Sequence, residues 1–409
     1  MSFETVNGAL QISFSMVATA ALAAVLLLIG FWIKGKSGVL TKYCIPAPVV
    51  GGLIFAILHT VVRGMGLLEF EMDTTLQTIF MTAVFCSVGF LAAFKLLKKG
   101  GRGVITFLIL AVVMVALQDL VGGFGAKLFG LDGRLGLAMG SIPLVGGHGT
   151  SASFGAFLEE RGVTGATTVA VASATYGLIA GCMIGGPIAA AKIRKYNLKS
   201  RGINEAGTTG PEVVEVEKDV NTGALDEAKM LSAAIYIVIA VGIGTVISLL
   251  IGKVLTMPAY IGAMLAAAII RNVADGAKKE LPMAEITSIG NVCLSLFLSL
   301  AMINLKLWQL VSLALPMIVL LLVQTLIMYL YASFVVFPAM GKDYDAATMA
   351  SGFCGFGMGA TPNAMANMQA VTKLYGPAPL AFMIVPLVGS LFIDFFNAAI
   401  ITAFVNILG

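Results

Sequence analysis

Residues 351–367, SGFCGFGMGATPNAMAN, and their echo at residues 140–155, GSIPLVGGHGTSASFG, decide how this chain is read. Both are too rich in glycine and small polar residues to be ordinary membrane spans, yet both sit among segments apolar enough for lipid. Hydrocarbon cannot satisfy free N–H and C=O groups. Non-helical backbone at membrane depth is therefore tolerated only where protein buries it or where it lines a watery cavity. Two such interruptions, one in each half, point to a path for a solute and hence to a carrier.

Composition sets the class. Of the 409 residues, 59% are hydrophobic and 11% charged, against about 25% charged in a soluble domain. The expected fold is an all-α polytopic membrane protein, because the alternation of a β-barrel is absent. The cysteines Cys44, Cys86, Cys182, Cys293 and Cys354 are odd in number and scattered through apolar runs. They read as small core residues, not as disulfides or metal ligands. The net charge of +4 implies no nucleic-acid partner, since Lys and Arg cluster in short loops between apolar runs. The first ten residues lack a basic stretch and carry Glu4, so no cleavable leader is expected.

Apolar runs predict spans at 11–33, 46–62, 78–94, 104–121 and 167–191, then at 230–250, 258–270, 286–303, 311–338 and 380–404. The glycine-rich stretches fall before the last span of each half, as re-entrant segments at about 136–157 and 346–369. The expected organisation is an N-terminal repeat over 1–191, a polar linker over 192–228 and a C-terminal repeat over 229–409. Matches recur at a near-constant offset: Pro46 with Pro258, Lys95 with Lys306, Thr150 with Thr361, and Gly177 with Gly389. Gln118 and Gln324 match at a slightly shorter one.

Five spans per repeat is an odd number, so the two repeats must have inverted topology. Charge gives a separate test. With both termini outside and the linker in the cytoplasm, nineteen of the 25 Lys and Arg residues fall in cytoplasmic loops and six outside, as the positive-inside rule requires. The first glycine-rich segment then enters from outside and the second from inside. Inverted repeats with broken helices meeting near the midplane are a recurrent design of secondary transporters.

The segments SIPLVGGHGTSASF, GFCGFGMGATPNAMANMQA and FIDFFNA resemble the glutamate:sodium symporter family of bacteria, over about residues 42–404. That resemblance implies sodium-coupled uptake of glutamate by elevator-like alternating access. It also implies a homodimer in the bacterial inner membrane and lipid, glutamate and Na⁺ as partners. No cofactor is implied beyond Na⁺ as coupling ion.

Glutamate brings two carboxylates and an ammonium. Carboxylates are met by N–H groups at the ends of broken helices, and glycine lets backbone approach a solute. The expected substrate-binding set is Ser141, Gly147, His148, Gly149, Thr150, Gly359, Ala360, Thr361, Asn363 and Asn397. Pro362 suits the first turn of a helix starting at the cavity. His148 reads as a hydrogen-bonded histidine donating to a backbone carbonyl, or as a polar contact to the solute, more than as a proton-coupling group. Asp394 lies inside the last expected span, where an acid faces protein or water and serves function. It is the expected Na⁺ ligand, with Asn291 and Ser295 as second-rank ligands. Gln118 and Gln324 read as interhelical or hinge contacts, and Asp119 carries no assignment.

Three other readings compete with this one. Paired re-entrant loops would also suit an ion channel. A related carrier, sodium- or proton-coupled, would take another amino acid or a dicarboxylate. An intramembrane enzyme is disfavoured, because neither HExxH nor GxSxG occurs.

Overall fold

The computed structural model describes residues 2–6, 9–38, 40, 45–93, 101–200, 226–253, 258–310 and 313–409. Cys44, Lys95 and residues 201–225 of the expected linker lie outside them. The apolar runs are helical, the conformation in which backbone closes its hydrogen bonds within one segment. In the first half, α1 (Met16–Lys36), α2 (Ala47–Gly64), α3 (Thr75–Leu91) and α4 (Gly101–Leu128) come first. Three short helices follow, α5 (Gly133–Leu137), α6 (Ser141–Leu144) and α7 (Gly147–Glu159), and then the long α8 (Ala166–Tyr196). The second half opens with α9 (Glu227–Ile251), α10 (Ala259–Gly276), α11 (Met283–Ile303) and α12 (Ala314–Tyr331). A π-turn at Ala332–Val336 extends α12. It is followed by α13 (Tyr344–Gly357), α14 (Thr361–Tyr375), α15 (Pro379–Leu391) and α16 (Ile393–Leu408).

Seven of the described helices are long and apolar enough to cross a membrane. Two expectations need correction. The span expected at 380–404 is not one straight helix: α15 and α16 bend by 43° across the break. The span expected at 11–33 begins later, because Ala9–Phe14 is strand β2, paired with β1 (Ser2–Val6) and, in parallel, with β3 (Leu68–Met72). Leu10, Ile12 and Phe14 alternate with Gln11 and Ser13, and Leu68, Phe70 and Met72 with Glu69 and Glu71. That period of two is a strand pattern, hidden in the sequence beside a long apolar run. Gln11 and Ser13 both donate to Glu71 Oε2, at 3.0 and 2.9 Å.

The helices pack as two groups. In one, α1 lies against α2 and α9 against α10, with α3 and α11 between the pairs. Both pairs approach closely at glycine. A Cβ on Gly51 would sit 1.9 Å from the Leu26 carbonyl oxygen, and one on Gly262 would sit 2.2 Å from that of Gly244. The other group holds α4 to α8 and α12 to α16. Its halves interlock: α8 packs on α13 and α14, while α16 packs on α4, α5 and α6. Its core centres on Phe107, whose ring meets Phe353 edge-on at 5.4 Å. Tyr260 of α10 stacks on Phe85 of α3 at 4.3 Å within the first group and, across the boundary, meets Phe154 of α7 edge-on at 5.8 Å.

Candidate functional site

Three interruptions of helix meet in the second group. The first is the turn Val145–Gly146 between α6 and α7, followed by Gly147 at φ +61°. The second is Met358–Ala360 between α13 and α14, where Ala360 is extended and Pro362 occupies the first turn of α14. Proline suits that place, since its missing N–H has no partner in a first turn. The third is Phe392, between α15 and α16. The first two tips touch: a Cβ on Gly147 would lie 3.3 Å from the Gly359 carbonyl oxygen.

A cavity of about 250 Å³ lies where these breaks meet. Val145 and Gly146 line it from the first break, and Phe356, Gly359, Ala360, Thr361 and Pro362 from the second. Gly389, Ile393 and Asp394 line it from the third. A Cβ on Gly389 would lie 3.0 Å from Thr361 Oγ1, so glycine there leaves the hydroxyl its place. The helices α7, α14 and α16 all begin at this wall. Their first N–H groups have no acceptor within the helix and carry the positive end of its dipole. Among the described residues of the lining, Asp394 is the one that is charged. A cavity with helix N-termini on several sides and a single carboxylate suits a carboxylate-bearing solute that also carries, or arrives with, a positive charge.

A family model described as sodium/glutamate symporter matches residues 12–377 of this chain. The chain belongs to the sodium/glutamate symporter family. It is 41% identical over 391 residues to the sodium/glutamate symporter of Escherichia coli (strain K12), covering 94% of this chain and 96% of that one. To the sodium/glutamate symporter of Haemophilus influenzae it is 36% identical over 403 residues, covering 97% and 99%. With its apolar helices, this family member is a multi-pass membrane transporter and not an enzyme.

Of the residues expected to bind substrate, the cavity is lined by Gly359, Ala360 and Thr361, and by Asp394 from the expected ion set. Gly147, His148, Gly149 and Thr150 lie one to four residues beyond the lining residue Gly146, on α7. His148 Nε2 lies 3.0 Å from Thr175 Oγ1, which itself donates to the Val171 carbonyl at 3.1 Å. His148 therefore meets a hydroxyl, where a backbone carbonyl was expected. Asn363 is fully buried and donates to the Leu178 carbonyl at 3.0 Å, holding α14 to α8. Asn397 donates to the Ser141 carbonyl at 3.4 Å, so these two meet each other behind the cavity wall. Asn291 is exposed on α11, and Ser295 donates back to its carbonyl at 3.1 Å. Neither is among the residues that line the cavity.

The sequence reading missed Val145, Gly146, Phe356, Gly389 and Ile393 as lining residues and placed Pro362 only as the start of a helix. The Gly177–Gly389 match was a signal for one of them. The expectation for the glutamines is met in geometry: Gln118 Nε2 donates to the Gly357 carbonyl at 2.8 Å, and Gln324 Nε2 donates to that of Gln118 at 2.8 Å. A separate cavity of about 330 Å³ adjoins the small sheet, among Glu69, Glu71, Lys306 and Trp308. Its His59 Nε2 accepts the Phe70 N–H at 3.2 Å and so secures β3. None of the three helix breaks reaches it.

Proposed function

We propose that this chain is a secondary active transporter that takes up glutamate with Na⁺, and that the cavity between the three breaks holds the amino acid. The observation that carries this is the convergence of helix starts from both halves on one cavity with a single acid, Asp394. Glutamate's carboxylates take the N–H groups of α7 and α14. Its ammonium, or a Na⁺ beside it, takes Asp394. The names of the Escherichia coli and Haemophilus influenzae relatives supply the pairing of sodium with glutamate.

The finer readings belong to the same proposal. Inverted five-span repeats are supported by the recurrent motifs and by the similar glycine contacts in α1–α2 and α9–α10. Both termini outside and a cytoplasmic linker follow from the loop charges. Movement of the second helix group against the first, as in an elevator, suits a site whose lining comes wholly from that second group. The homodimer and the bacterial inner membrane are taken from the family resemblance. The exposed apolar side chains of α1, α9 and α12, such as Leu28, Val238 and Leu315, face lipid.

Glutamate carries one net negative charge, so symport with a single Na⁺ gains nothing from the membrane potential. Each further positive charge gains about 2.3 kcal/mol per 100 mV, and we propose more than one Na⁺ per glutamate. In proteoliposomes, an inward Na⁺ gradient drives uptake of labelled glutamate, and an inside-negative potential accelerates it. Uptake that proceeds equally in choline would overturn the coupling. Uptake indifferent to voltage would overturn the stoichiometry alone.

A further inference from the structure

Behind the cavity wall, three helices meet around Ser141. Asp119 of α4 is fully buried, and its Oδ1 accepts the Ser141 N–H at 2.8 Å. Asn397 of α16 is buried too, and its amide donates to the Ser141 carbonyl at 3.4 Å. On these three side chains, the oxygens Asp119 Oδ2, Ser141 Oγ and Asn397 Oδ1 are buried and complete no hydrogen bond among the described residues. Among those residues no Lys, Arg or His pairs with Asp119. A carboxylate kept from water without a counter-charge is among the most expensive groups a protein can bury. Capping α6 does not require that charge, since Ser or Asn accepts an N–H as well.

We infer that Asp119 Oδ2, Ser141 Oγ and Asn397 Oδ1 form a Na⁺ site, separate from Asp394. The donor set is all oxygen, with one negative charge, which suits a hard monovalent cation. This deepens the symport reading above and rests on it. The site also explains how an ion is coupled to the solute. Ser141 opens α6, whose end leads into the lining residues Val145 and Gly146. Asn397 sits one turn beyond Asp394 on α16. A cation drawing Asp119, Ser141 and Asn397 together fixes two of the three breaks that frame the cavity. The glutamate then meets an arrangement already ordered, which is positive cooperativity between the two ligands. Gln118, next to Asp119 on α4, reaches the third frame member by donating to Gly357 at the end of α13.

The test uses the purified full chain and reads heat stability without glutamate, as NaCl replaces choline chloride at constant ionic strength. In the wild type the midpoint rises with Na⁺. Ser141→Ala, which deletes one oxygen and nothing else, raises the half-saturating Na⁺ at least tenfold. Asp119→Asn keeps the shape, removes the charge and shifts it further. In proteoliposomes the Na⁺ dependence of glutamate uptake by Ser141→Ala moves as in the melt. Wild-type Na⁺ half-saturation in both variants overturns the site and leaves the carrier standing. A wild-type midpoint that responds to acid but not to Na⁺ makes this a proton site and also overturns it. Should the wild type show no Na⁺-driven glutamate uptake, the symport reading falls, and the melt still decides whether Na⁺ binds through Ser141.

Discussion

Gly147 is the residue on which the meeting of the two halves turns. Its φ of +61° is a conformation that a Cβ disfavours by about 1–2 kcal/mol, and the added carbon would press the Gly359 carbonyl at 3.3 Å. Gly147→Ala is therefore expected to lower stability by about 1–2 kcal/mol and to cut glutamate uptake far more than that loss explains. A thermal melt beside an uptake assay checks this. Wild-type uptake in a destabilised variant would separate this turn from the substrate site. Asp394 was legible in the sequence as an acid inside an apolar run, because hydrocarbon leaves such a residue few bland roles. Asp119 was not legible, because its meaning depends on an N–H group 22 residues away.

At the scale of elements, α8 presents Gly177, Gly181 and Gly185 at intervals of one turn, and the hairpin formed by α13 and α14 rests on them. A Cβ on Gly177 would sit 2.3 Å from the Met358 carbonyl oxygen. Small residues at that spacing announce close packing of helices, but the spacing does not name the partner. Asn363 and Asn367 of α14 fasten the contact by donating to the carbonyls of Leu178 and Gly181, each at 3.0 Å, and Asn367 also reaches that of Ser351 at 3.2 Å. Asn367→Ala removes the two buried bonds to the Gly181 and Ser351 carbonyls, each worth about 0.5–1.5 kcal/mol. We expect a lower thermal midpoint that saturating glutamate partly restores, since ligand bound to the folded hairpin favours it. A midpoint equal to wild type would mean that the contact does not hold the hairpin.

For the whole molecule, the division into two helix groups makes a mechanical prediction. If the cavity-bearing group slides on the other during transport, joining them stops uptake without removing the site. Tyr260→Cys and Phe154→Cys replace two rings 5.8 Å apart across the boundary. With the native cysteines substituted, a short thiol cross-linker should abolish uptake, a reductant-cleavable version should restore it on reduction, and glutamate should still raise the thermal midpoint of the linked protein. Full uptake in the linked protein would show that this boundary does not move.

The sequence by itself determined that apolar helices, interrupted by two small-residue stretches, carry the chain through a membrane, since composition and hydropathy report how each segment meets its solvent. It also marked Gly359, Ala360, Thr361 and Asp394, which stand out locally against apolar neighbours. Only the tertiary structure decided that the last apolar run is broken at Phe392 and that residues 9–14 join a sheet. It alone decided that Ser141 meets Asp119 and Asn397 and does not line the cavity. Those outcomes depend on which distant backbone groups come to face a side chain, and one-dimensional spacing does not encode the depth at which two helices cross.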